Sequence, residues 1–136
     1  MRDDIWQPLR YFEGNWTGTG RGEPGTATVK RDYSFMLSGR YLQVRSESKW
    51  EPTEKNPEGE VHTEMGMFSY DKARKLFVLR VFHVESFVNQ YVQDTQPPKG
   101  LICVLCLKLS KIFPPVGAPA KATVFLVRMN SLKLSS

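Results

Sequence analysis

The stretch Val61-His-Thr-Glu-Met-Gly-Met-Phe-Ser-Tyr-Asp-Lys-Ala-Arg-Lys-Leu-Phe-Val-Leu-Arg-Val-Phe-His-Val-Glu85 decides the fold. It contains two runs of strand length, 61–70 and 76–85, rich in β-branched and aromatic residues. Between them Asp71-Lys-Ala-Arg74 is a good type I turn sequence, with an Asp whose side chain can bond the backbone ahead of it. The two runs are therefore expected to pair antiparallel. With the turn centred between Lys72 and Ala73, His62 is expected directly opposite His83.

On either side of this hairpin the period stays at two. Residues 26–35 place Val29, Arg31, Tyr33 and Phe35 on one side, and 39–50 alternate Leu42, Val44, Ser46, Ser48 and Trp50 against Tyr41, Gln43, Arg45, Glu47 and Lys49. Residues 15–22 form a Gly-rich strand around Trp16, and 87–94 a further strand closed by Pro97-Pro98. A polar loop occupies 51–60. Before the strands, Asp3 or Asp4 is expected to cap one short helix in which Ile5, Leu9 and Phe12 share a face, with Gly14 ending it. Six evenly spaced strands after one helix predict a mainly β, antiparallel, up-and-down meander, and closure into a barrel is the simplest way to remove its edges.

The 136 residues are expected to form one domain, large enough to bury a core without staples. The net charge of +5 is confined to the end of the chain: Lys108, Lys111, Lys121, Arg128 and Lys133 follow residue 100 with no acid among them, so residues 1–99 balance. Those five form no dense cluster interleaved with aromatics, which argues against nucleic acid as a partner. The N-terminus has no apolar signal core, and no run approaches the roughly 18 apolar residues of a membrane span. A cytoplasmic protein without a membrane partner is the expectation, with a dimer left open. Cys103 and Cys106 lack the second pair of a zinc ribbon and are expected as buried, reduced thiols.

Three stretches carry a family resemblance. Trp6-Gln-Pro-Leu9 followed by Phe12-Glu-Gly-Asn-Trp-Thr-Gly-Thr-Gly-Arg-Gly22, with its G-x-W-x-G-x-G pattern, resembles the opening of nitrobindin-like heme-binding β-barrels. His62-Thr-Glu-Met-Gly-Met-Phe68 is similar to a strand further along in the same proteins. Leu37-Ser-Gly-Arg-Tyr-Leu42 and Phe68-Ser-Tyr-Asp71 resemble segments of lipocalin-like (calycin) domains. The resemblance spans about residues 5–94. It implies a lipocalin-like β-barrel with an apolar interior and, in the nitrobindin branch, a ferric heme held by one histidine of a C-terminal strand. This chain departs there: His62 and His83 are its two histidines, and none follows.

Residues 100–136 differ from the rest, with both cysteines, no acids and the run Ile112-Phe-Pro-Pro-Val-Gly-Ala-Pro119. Codons for 108–125 can be chosen so that the frame one nucleotide upstream spells A-I-E-N-I-P-P-G-W-R-A-R-E-S-Y-R-F, which looks more like the end of a barrel. The expectation is a domain of typical sequence over 1–99 with a frameshifted, incomplete C-terminal part. A naturally divergent tail is the alternative.

The residues that could carry chemistry are few. His62-x-Glu64 and His83-x-Glu85 each place a histidine and a carboxylate on one strand face, so His62 and His83 are candidate metal ligands or acid–base groups. The plain alternative is two histidines bonded to neighbouring carboxylates. Arg80 in an apolar strand would receive a carboxylate or propionate if it points inward, and is solvated surface if it points outward. Arg40 beside Gly39 is open in the same way. Trp16, Tyr33, Phe68 and Tyr91 are core residues or ligand contacts, with core the leading reading. No nucleophile elbow or phosphate loop is present. The reading is a barrel that binds a small, largely apolar ligand, heme or a fatty-acid-like molecule, through Trp16, Tyr33, Arg40, His62, Glu64, Arg80, His83 and Tyr91. The rivals are a small metal-dependent or acid–base enzyme using the two His-x-Glu pairs, and a truncated paralogue without activity.

Overall fold

The computed structural model describes residues 4–22, 25–96, 105–113, 123–126 and 132–135, the last two segments as backbone. A 3-10 helix, Gln7–Phe12, precedes nine strands: β1 Gly14–Gly22, β2 Gly25–Met36, β3 Tyr41–Trp50, β4 Glu60–Asp71, β5 Leu76–His83, β6 Val88–Gln93, β7 Leu105–Phe113, β8 Thr123–Leu126 and β9 Leu132–Ser135. All lie in one antiparallel sheet of order β8-β7-β6-β5-β4-β3-β2-β1-β9. The six expected strands are present, and β4 pairs antiparallel with β5 as the hairpin reading requires.

Chain connectivity curls this sheet. Leu132 of β9 follows Leu126 of β8 by six positions, at most about 21 Å of extended chain. Yet β8 and β9 lie at opposite edges, which a flat nine-stranded sheet would hold about 38 Å apart. Among the described residues no ladder joins β8 to β9, so the sheet curls without being closed by hydrogen bonds.

The inner face gathers one core. Trp6, Leu9 and Phe12 are buried at a spacing of three, which is one face of a helix with three residues per turn. The expected trio fails for that reason: Ile5 is 42% exposed, because the helix is 3-10 rather than α. Asp4 still acts at its start, accepting from the Trp6 N–H at 3.1 Å; Asp3 lies outside the described residues. Trp6 packs on Phe35 and Phe77, and Phe12 on Trp16 and Tyr33, so the helix plugs one end of the curl. The Trp16 Nε1–H donates to the Phe12 carbonyl at 2.7 Å, tying plug to sheet.

The β4–β5 turn is longer than expected. The Asp71 carboxylate accepts from the Ala73 and Arg74 N–H groups at 3.0 Å each, and the Lys75 N–H reaches the Asp71 carbonyl at 2.7 Å with Lys75 at φ +57°. The ladder therefore closes on Asp71 opposite Leu76, and every partner moves by two residues. Gly66 is needed on this inner face: a Cβ there would lie 2.7 Å from Val44 Cγ1 and 3.1 Å from Leu79 Cδ1.

The last part of the chain joins the same sheet. Strand β7 pairs with β6 and buries Leu105 and Leu107 in the core, although the sequence reading assigned no strand there. Lys108 Nζ lies 3.1 Å from Asp94 Oδ1, a carboxylate 4% exposed that also accepts from the Gln96 N–H at 2.9 Å. Cys106 is disulfide-bonded, which overturns the expectation of reduced thiols; Cys103 lies outside the described residues, as does 114–122 with most of the proline run. Among the described residues no helix is long and apolar enough to cross a membrane.

Candidate functional site

Pairing registers place inner-face residues in rows that run across the strands. The row Phe35, Leu42, Phe68, Leu79, Tyr91 is apolar apart from one hydroxyl. The next is Tyr33, Val44, Gly66, Val81, Asn89. Further from the plug comes Trp16, Arg31, Ser46, Glu64, His83, contributed by β1 to β5 in order. Polarity rises along the axis of the curl, from a filled apolar end to this fifth-by-fifth polar row. A cavity of about 970 Å³ lies along it, lined by these five residues and their neighbours on each strand, and mostly by apolar surface. That volume is at the upper end of the range for small-molecule sites.

Glu64 and His83 are direct cross-strand partners, with Oε2 3.2 Å from Nδ1. The His83 ring stacks on Phe87 at 4.0 Å between centroids. One row further out, His62 Nδ1 is 2.5 Å from Glu85 Oε1 and Nε2 is 2.9 Å from Glu60 Oε1. The Glu85 backbone N–H and then the His62 ring hold the Glu85 carboxyl below its usual range. The expected opposition of His62 and His83 is thus corrected. Each histidine faces a glutamate, because the longer turn moves its partner by two positions. A shift of two preserves the face, so both His-x-Glu pairs share the inner side as expected.

The other expected residues divide. Trp16 is 3% exposed and borders the cavity, whereas Tyr33 is buried in the core and Tyr91 packs against it. Arg40 lies in the exposed turn after β2. Arg80 takes its outward alternative, exposed on the other face with Nε 3.1 Å from Gln90 Oε1. Neither arginine reaches the cavity. Arg31 and Ser46 were not singled out, yet both complete the polar row. Their parity with Tyr33 and Val44 was the available signal.

Two implied groups can be tested against these residues. Among the described residues no set of three or more His, Cys, Asp or Glu side chains is placed to hold a metal ion, and both His62 nitrogens already face carboxylates. For heme, the imidazole nitrogen left without a partner is His83 Nε2, and it is sealed from solvent. Iron would have to reach an atom that water does not. The residues present do not fit an axially ligated heme.

No family model matches the chain, and no curated protein or solved structure does.

Proposed function

We propose that this protein binds one small, largely apolar molecule of the fatty-acid-like kind, in a lipocalin-like arrangement in which the curled sheet acts as a barrel. The observation that carries this reading is the 970 Å³ cavity along the row Trp16, Arg31, Ser46, Glu64 and His83. Its largely apolar lining rewards transfer of a hydrocarbon body from water, at about 25 cal/mol per Å² buried. Its few convergent polar groups orient one polar end, as is usual for such sites. The filled Phe35–Tyr91 row beyond it sets the depth, so the ligand's polar end lies within reach of the mouth.

The test is titration with a fluorescent fatty-acid analogue, followed by displacement with unlabelled dodecanoate and dodecanol. Saturable binding at one site per chain is expected. Ser46→Trp places an indole in the middle of the row and should abolish binding while the sheet remains folded by circular dichroism. Undiminished binding in Ser46→Trp would remove the cavity from consideration.

A further inference from the structure

Among the described residues, the outer face of the sheet carries an unpartnered apolar row beside the cavity. Met65, Phe82, Val88 and Phe113 are successive cross-strand partners on β4 to β7. Phe82 is 44% exposed and Phe113 46%, and exposed Val84 and Val61 extend the patch toward the mouth. Met65, Phe82 and Val84 also border the cavity. Patches of this kind on a soluble domain mark contact surfaces.

Charge says what kind of contact. Arg45 continues the row on β3, Arg80 and Lys111 flank it in the next row, and Lys49 lies opposite Val61; all four are exposed. The acids Glu60, Glu64 and Glu85 of the same end turn to the inner side, where His62 and His83 engage them. On the paired strands of the outer face near the patch stand Asp32 and Glu47, opposite Arg45 and Thr63, and the exposed acids Glu51, Glu54 and Glu58 follow in the β3–β4 loop at the mouth. A second copy is a poor occupant. A two-fold contact would set this cationic rim against itself, and a standard interface needs about 800 Å² per partner.

We propose that this face docks peripherally on an anionic lipid bilayer. Phe82, Val84, Val88 and Phe113 enter the boundary between headgroups and acyl chains, and Arg45, Lys49, Arg80 and Lys111 meet lipid phosphates. The proposal rests on the reading that the cavity takes an apolar ligand, which would then enter from the lipid phase at the mouth of the curl, beside Val84.

The experiment is co-sedimentation with phosphatidylcholine vesicles containing about a quarter phosphatidylglycerol, against pure phosphatidylcholine vesicles, at low and high salt. Binding to the anionic vesicles alone, weakened by salt, is expected. Phe82→Ser and Phe113→Ser should each lower the partition coefficient about tenfold. Lys111→Glu, at an exposed site away from the core, should lower it and flatten the salt dependence, which keeps the test valid if a Phe variant misfolds. Absence of binding to anionic vesicles, equal binding to neutral ones, unchanged partition in both Phe82→Ser and Lys111→Glu, or a lipid-free dimer would overturn the proposal. Probe binding in vesicle-free solution is scored separately. If it fails while the vesicle results hold, the cavity reading falls and the docking face stands.

Discussion

Glu64 lies directly opposite His83 in the β4–β5 ladder, and its carboxylate reaches the Nδ1 side of the ring at 3.2 Å. The pairing sets Nδ1 beside the carboxylate and leaves Nε2 without a partner. Each ring meets a carboxylate rather than the other imidazole. The Glu85 carboxyl, which the His62 ring engages one row further out, ties this end of the sheet to pH.

Glu85 offers the test of that statement. Its carboxyl is held below the usual value of 4.5, by its backbone N–H first and the His62 ring second. A group with a lowered folded pKa contributes stability above its unfolded value and loses it as the pH falls through the lowered one. The window therefore opens below about pH 4.5. Glu85→Gln is expected to flatten the dependence of Tm on pH there and to leave it unchanged above pH 6. The effect is small, because the site is exposed and screened. A wild-type acid limb retained in Glu85→Gln would assign the sensitivity elsewhere.

Trp16→Ala is expected to cost about 3–5 kcal/mol by chemical denaturation. The indole is 3% exposed, packs on Phe12 and Tyr11, and satisfies the Phe12 carbonyl. A midpoint that barely moves would show that the plug does not depend on it.

Gly66→Ala should destabilise by about 1–3 kcal/mol through overpacking. The added methyl would meet Val44 Cγ1 at 2.7 Å. Val44→Ala clears that contact, so the double variant is expected to be more stable than the two single costs add up to. Strict additivity would place the strain outside this pair.

Lys108→Met strips a cation from the buried Asp94 carboxylate, which keeps the Gln96 N–H, and is expected to cost about 1–3 kcal/mol. Asp94→Asn in the same background should recover part of it. No loss in Lys108→Met would mean that Asp94 finds another partner. Because Lys108 lies in the part expected to be frameshifted, sequencing the coding DNA beyond residue 100 complements the measurement.

Much of the fold is local and was therefore legible in the residues themselves. Period-two alternation named six strands, their order and the residues that share a side on β2 and β3, because side chains on a strand alternate whatever the strand pairs with. It placed both His-x-Glu pairs on one side for the same reason. Register is not local. It depends on a turn in which the Asp71 carboxylate captures two backbone N–H groups and Lys75 turns left-handed, adding two residues to the loop and exchanging His–His for His–Glu contacts. The side taken by Arg80 was unreadable, because Leu76, Phe77, Val78 and Leu79 are buried on both faces and erase the alternation. Likewise, the plug's spacing of three and the strand role of β7 follow from what they pack against. Alternation alone settled which face each residue occupies; only the folded sheet, through turn geometry and burial, decided which residues meet across it and that Arg31 and Ser46 join Trp16, Glu64 and His83 in one row.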